Sequence, residues 1–324
     1  MELPLAPDPA PQVQPARGAS ATWFRPLALA LALGHLVLAW KTTGLRWEHV
    51  AADSLLALLP WLGKRGMAFA IGALPLWLTG VLYDNQWIWR NLVGSVHVAL
   101  AERNLGILGP GGLDLPAWFN LHPAKVLDLF AGFAYSTHLL QLFGIGLFLF
   151  LVKPERFRGL AWAFLIANAL GVVISTIYPA APPWYVIAHG TGPVDPNAAS
   201  SAGGALRFDA LFGITYFRDF YSRNPFVWGA IASLHSAYPV LAAYAVWERG
   251  WRWRIPTLAY AMLMWFSALY LAHHYLLDVV IGIAIALVSS VIAHRVIPAL
   301  RARWSARRRA LPDGESDGVE IATS

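Results

Sequence analysis

The chain has 324 residues, of which 57% are hydrophobic and 13% charged, with a mean hydropathy of +0.51, 16 tryptophans and no cysteine. The absence of cysteine excludes disulfides and thiolate chemistry, and apolar runs repeated along the length exclude a separate soluble module. The formal net charge of +6 comes largely from one arginine-rich stretch near the C-terminus.

Residues 1–20 are rich in Pro, Ala and Gln without periodicity, which predicts a disordered tail; a signal peptide would begin with a basic segment. Apolar runs follow at 26–43, 66–83, 126–152, 159–178, 228–248, 255–272 and 275–297, each near the ~20 residues that span a bilayer. They predict an all-α polytopic integral membrane bundle, with six core transmembrane spans plus an N-terminal span. The stretch His49 to Leu62 holds Asp53 and is short for a span, so an interfacial helix is expected there, with the second arm of a hairpin as the alternative. The resulting organisation is a tail (1–20), N-terminal spans and interfacial helices (21–125), a catalytic membrane core (126–298), and a basic then acidic cytoplasmic tail (299–324).

Basic residues in short loops mark the cytoplasmic side of a membrane protein. Lys64 and Arg65, then Lys153, Arg156 and Arg158, then Arg249, Arg252 and Arg254, and finally Arg301 to Arg309 all fall on one side if runs two to seven span. The segments 84–125 and 179–227 then lie on the other side, together with His235 and His274 at the starts of runs five and seven. Arg301 to Arg309 directly follow a span and read as an anchor against anionic lipid, so no nucleic-acid partner is expected. The tail beyond, with Asp313, Glu315, Asp317 and Glu320, reads as solvated.

Two strings carry the chemistry: Ser233-Leu234-His235-Ser236 and His274-Tyr275-Leu276-Leu277-Asp278. On a helix His274 and Asp278 share a face, so the carboxylate can hold one ring nitrogen and leave the other free to attack phosphorus. His235 is then the acid that protonates the departing alkoxide. A purely structural pairing is the alternative. A zinc site of His235, His273, His274 and Asp278 is a third reading, but no metal-ligand spacing supports it, and neither a metal nor another cofactor is expected.

These strings resemble the type-2 phosphatidic acid phosphatase superfamily, whose Ser-Arg-x5-His-x3-Asp pattern aligns with Ser267-Ala268-x5-His274-x3-Asp278. The resemblance implies His274 as nucleophile, Asp278 as its orienting partner and His235 as general acid. Ala268 stands where that pattern has arginine, and the family's Lys-x6-Arg-Pro string is missing. Tyr178-Pro-Ala-Ala-Pro-Pro-Trp-Tyr185, Gly229 to Pro239 and His273-His-Tyr-Leu-Leu-Asp278 resemble the inositol phosphorylceramide synthase branch and its bacterial relatives. Ala232 departs from that branch's usual proline. This resemblance implies metal-free transfer of phosphoinositol from phosphatidylinositol to ceramide at the lumenal or outer face.

Pro182-Pro183 stiffens the chain beside Trp184 and Tyr185, aromatics suited to the headgroup level of the membrane, so both are candidate substrate-binding residues. With the usual phosphate-binding arginines missing, Arg218 and Arg223 are the nearest replacements, and Arg90 is a weaker one. His273, beside the nucleophile, completes the substrate-binding set. Ser136, His138 and Asn168 inside spans are expected to make helix-to-helix hydrogen bonds and are left out. The expected activity is metal-independent phosphotransfer between a phospholipid donor and a lipid acceptor, in a bacterial inner or Golgi-like membrane, with the site on the extracytoplasmic face. A lipid phosphate phosphatase and a non-enzymatic lipid transporter are the alternatives, and the oligomeric state is not encoded in any readable feature.

Overall fold

A computed structural model of the chain describes residues 21–88, 95–98, 103–195, 198–224 and 226–310. The tail 1–20, Arg90 and the acidic C-terminal residues lie outside the described residues. Every regular element among the described residues is helical, apart from isolated β-bridges. The chain divides into two compact units, 1–71 and 72–324.

The first unit holds α1 (Phe24–Lys41), α2 (Trp47–Leu58) and the start of α3 (Gly63–Asp84). α2 folds back on α1 as the second arm of a helical hairpin. The buried His35 Nδ1 meets the Asp53 carboxylate at 2.9 Å, which supplies the polar partner that Asp53 needs on an otherwise apolar helix.

The second unit contains α4 (Leu115–Leu121), α5 (Lys125–Val152), α6 (Pro154–Ile177), α7 (Pro183–His189), α8 (Leu206–Phe212), α9 (Tyr216–Tyr221), α10 (Leu234–Val246), α11 (Trp251–Tyr270) and α12 (Leu276–Val291). A π turn at Ile292–Val296 leads from α12 into α13 (Ile297–Ala310). α10 is the hub, packed against α5, α6, α11 and α12, with Ala237, Leu241, Ala242 and Val246 fully enclosed. Helices in lipid gain little from the hydrophobic effect, so small residues and interhelical hydrogen bonds hold them together. The Tyr238 hydroxyl donates to Asn168 Oδ1 at 2.8 Å, and that of Tyr260 to the Ala134 carbonyl at 2.9 Å. Gly282 is required by close approach, because a Cβ there would lie 2.2 Å from the Ser233 carbonyl oxygen. That contact joins Ser233, just before α10, to the second turn of α12.

Among the described residues, five helical segments are long and apolar enough to cross a membrane: Phe24–Lys41, Gly63–Asp84, Lys125–Val152, Pro154–Ile177 and Leu276–Arg307. α10 and α11, which the apolar runs place among the spans, fall outside this set. α10 has 13 residues, a rise of about 20 Å, because residues 230–233 of that run are not helical. α11 has 20 residues but is diluted by Arg252 and Arg254.

Candidate active site

Ser233 explains why α10 begins where it does: its side chain accepts the Ser236 N–H at 3.2 Å as an N-cap. This fixes His235 in the first turn. Opposite it, α11 ends and the chain reverses through Ala272, whose φ of +56° is in the left-handed region. The His273 and His274 N–H groups both reach back to the Ala268 carbonyl at 3.1 Å. Ala268, where the resembling pattern carries arginine, is therefore an enclosed residue under the turn that presents both histidines.

The two histidines meet as the sequence predicts, with His235 Nδ1 at 3.3 Å from His274 Nε2. His274 Nδ1 lies 2.9 Å from the Ala230 carbonyl, which can only accept, so Nδ1 carries the proton and Nε2 holds the lone pair. His235 Nδ1–H then donates to that lone pair, and His235 Nε2 accepts from the Tyr221 hydroxyl at 3.4 Å. Burial pulls the His274 imidazole down to about 3, with the neighbouring His273 adding to the effect, and burial pulls His273 down to about 4. Both are neutral at physiological pH.

Asp278 departs from its expected role. Its Oδ2 is 3.9 Å from His274 Nδ1, too far for a hydrogen bond, and the Ala230 carbonyl holds that nitrogen instead. The carboxylate is engaged by Arg103 through both oxygens, Nε to Oδ1 at 3.2 Å and Nη2 to Oδ2 at 2.7 Å, and it accepts the Tyr275 N–H at 2.8 Å as part of the α12 cap. Arg103 is 1% exposed, donates also to the Ala181 carbonyl and lies over the Tyr275 ring at 4.5 Å. The Tyr178-to-Tyr185 string thus has a structural task. Ala180 bridges to His97 on one side and Gly229 on the other, which carries Ala181 to Arg103 and Ala230 to His274.

Other expected residues divide. His273 lies against Tyr221 and Tyr135, with Nε2 donating to the Ala202 carbonyl at 2.9 Å. Trp184 is half-buried, and its backbone N–H donates to the Ala272 carbonyl at 2.8 Å, one residue before the histidine pair. Tyr185 is 3% exposed, packs on Trp228, and its hydroxyl accepts the Asp195 N–H. Arg218 and Arg223 are exposed on and after α9, and no hydrogen bond or ion pair in the histidine cluster involves Arg218, whereas Arg103 is the cation enclosed beside the cluster. Asn168 makes the interhelical bond expected of it, but His138 stands 4.9 Å from the His235 ring and belongs to the cluster. Among the described residues no group of three or more His, Asp or Glu is arranged to hold a metal ion.

A family model described as the PAP2 superfamily matches residues 96–292. The chain belongs to the PAP2 superfamily. Its curated relatives within reach of this superfamily core include a phosphoinositol dihydroceramide synthase of Bacteroides thetaiotaomicron, 35% identical over 78% of this chain and 85% of the relative. The inositol phosphorylceramide synthase catalytic subunit of Schizosaccharomyces pombe is 32% identical over 60% of this chain and 47% of its own length. The inositol phosphorylceramide synthase of Candida albicans is 33% identical over 73% and 52%, so the chain spans about half the length of these fungal relatives. No solved structure matches the chain.

Within this PAP2 site, sequence reasoning missed Arg103, Tyr135 and Tyr221. Tyr135 stacks on His235 at 4.4 Å between ring centroids, and its buried hydroxyl has no hydrogen-bond partner among the described residues. A tyrosine spaced three residues before His138 on one helical face was the available signal.

Proposed function

We propose that this PAP2-superfamily chain is an integral membrane phosphotransferase that moves a phospho-headgroup, such as phosphoinositol, from a phospholipid to a lipid hydroxyl, such as that of a ceramide. The chemistry runs through a phosphohistidine on His274. The observation that carries this reading is the one-directional chain of hydrogen bonds from Tyr221 through His235 to His274 and the Ala230 carbonyl, because it leaves the His274 Nε2 lone pair facing the second histidine.

In the first step Nε2 of His274 attacks phosphorus, the P–O bond to the diacylglycerol breaks, and His235, protonated once the substrate is bound, gives its proton to the departing alkoxide. In the second, His235 takes the proton of the acceptor hydroxyl as that oxygen attacks phosphorus, and the P–N bond breaks. Bonds and protons balance, and His274 returns neutral. In-line displacement sets nucleophile and acid on opposite sides of phosphorus, each about 3 Å from the atom it serves. Nδ1 of His235 and Nε2 of His274 are 3.3 Å apart, so this step requires the two rings to part around the phosphate.

Arg103 and Asp278 form a neutral buried pair beneath this step, and Trp184, tied to Ala272, stands where the acceptor displaces water. The loop charges support a site on the extracytoplasmic face. The similarity to named synthases supports phosphoinositol and a ceramide as substrates.

The test is lipid mass spectrometry after purified protein receives labelled phosphatidylinositol with and without ceramide. Labelled ceramide product is expected only with both lipids, and none from His274→Ala at equal expression. Release of phosphoinositol at the same rate without acceptor would replace transfer by hydrolysis.

A further inference from the structure

At the end of the second unit opposite the histidines, the last turns of α5 and α10 meet the first turns of α6 and α11 around a cavity of about 330 Å³. Leu149, Ala245 and Trp253 supply its apolar lining, and Lys153, Arg156, Glu248 and Arg249 its charges. We propose that this cavity binds the phosphodiester of an anionic phospholipid as a site separate from the catalytic one. The inference does not rest on the proposed activity.

Three cations against one carboxylate leave the lining with a net charge of +2. Glu248 does not cancel them evenly. Its carboxylate is bound by Arg156 and, at 3.6 Å, by Lys153, so it gathers two cations on one side and fixes their positions. Arg249 is held differently. Its guanidinium lies over the Phe148 ring at 4.8 Å and the Trp253 ring at 5.8 Å, and it makes no hydrogen bond or ion pair among the described residues. Stacking removes conformational freedom from a guanidinium whose in-plane N–H donors can take phosphate oxygens in pairs.

Size and position identify the ligand class. A volume of about 330 Å³ falls at the lower end of small-ligand sites and suits a headgroup without its tails. The cavity lies at the end of the long apolar helices α5 and α6, where headgroups sit, on the face the loop charges mark as cytoplasmic. Leu149 and Ala245 give the lining an apolar side that matches the glycerol and first acyl carbons, which free phosphate has no use for.

The experiment follows the melting temperature of the full-length protein in detergent during titration with short-chain phosphatidylglycerol, short-chain phosphatidylcholine or inorganic phosphate. Phosphatidylglycerol is expected to raise it saturably and the other two to leave it unchanged. Each of Lys153→Gln and Arg249→Gln weakens the apparent affinity about fivefold, and the double variant about 25-fold, from the usual contribution of one basic residue near an anionic lipid. Arg249→Gln is the safer variant for folding, since that side chain is exposed and touches only ring faces. Lys125→Gln, at the far end of α5, and His274→Ala leave the response intact, which separates this site from the catalytic one. An equal response to phosphatidylcholine or to inorganic phosphate, or an unchanged titration in the double variant, overturns the proposal.

Discussion

Asp278→Asn measures what the carboxylate does for His274. Where a carboxylate sets the tautomer of a catalytic histidine, its replacement by amide costs about 10⁴ in rate. Here the Ala230 carbonyl sets the tautomer at 2.9 Å, so that part of the loss is absent. What remains is electrostatic. Phosphorylation of His274 leaves its ring cationic, and an opposite charge 3.9 Å away is worth about 4 kcal/mol at an effective dielectric of 20. Arg103, 2.7 Å from the same oxygen, offsets a large part of this, leaving roughly 1–3 kcal/mol, or about 5- to 150-fold in rate. Single-turnover formation of the labelled phosphohistidine, with protein in excess, reads that step directly. Asp278→Asn also strands a buried guanidinium, which costs about 3–5 kcal/mol of stability, so the melting temperature falls and Arg103→Leu in the same chain restores part of it. A rate loss of 10⁴ or more at unchanged thermal stability would return the tautomer to Asp278 and refute the reasoning.

Further outcomes follow from the same geometry. His273 and His274, held neutral at about 4 and about 3 against 6.5 when unfolded, bind fewer protons folded than unfolded between those values, so stability is complete above pH 6.5 and declines as pH falls below it. The slope is at most about 1.4 kcal/mol per pH unit for each histidine, His273→Gln reduces it, and a melting temperature that stays flat from pH 8 to 5 contradicts it. In this cysteine-free chain, Ala199→Cys is expected to react with a membrane-impermeant maleimide in intact cells and Glu155→Cys to stay unlabelled, the opposite pattern inverting the proposed sidedness. Trp184→Ala is expected to raise the ratio of hydrolysis to transfer severalfold by admitting water, and an unchanged ratio removes Trp184 from the acceptor wall.

The residues legible in the sequence are those whose partners are local. His235 follows an N-capping serine, and His274 and Asp278 open a helix, so each leaves a signature within five positions. The residues that were missed have distant partners. Arg103 meets Asp278 across 175 positions from the segment 84–125, which carries no apolar run, and Ala230 acts through a carbonyl that every residue possesses. Without that carbonyl, the helical spacing of His274 and Asp278 left the carboxylate as the evident partner. The run that contains α10 is longer than its helix. A run of apolar residues marks exclusion from water, and the centre of a bundle satisfies that as well as lipid does, so 228–248 reads as a span while only 13 of its residues form a helix. The α2 stretch went the other way: Asp53 argued against burial until its partner His35, 18 positions earlier on α1, was seen.

In the proposed mechanism, the charge balance of the site lets one histidine act as nucleophile and the other as acid although neither is charged beforehand. Arg103 and Asp278 cancel each other, His274 is neutral, and its proton lies on the side away from the substrate, against Ala230. A phosphodiester arriving between the rings brings one negative charge into a buried site where, among the described residues, the enclosed cation Arg103 is already paired with Asp278. That anion favours an imidazolium beside it, and His235 is the group in position to form one: Nε2, which accepts from Tyr221, takes up the proton, and the Nδ1–H released when the rings part faces the substrate. A permanent arginine at position 268 would have met the phosphate without this protonation. With Ala268 there instead, the proposed mechanism has the substrate itself create the acid that its leaving group requires.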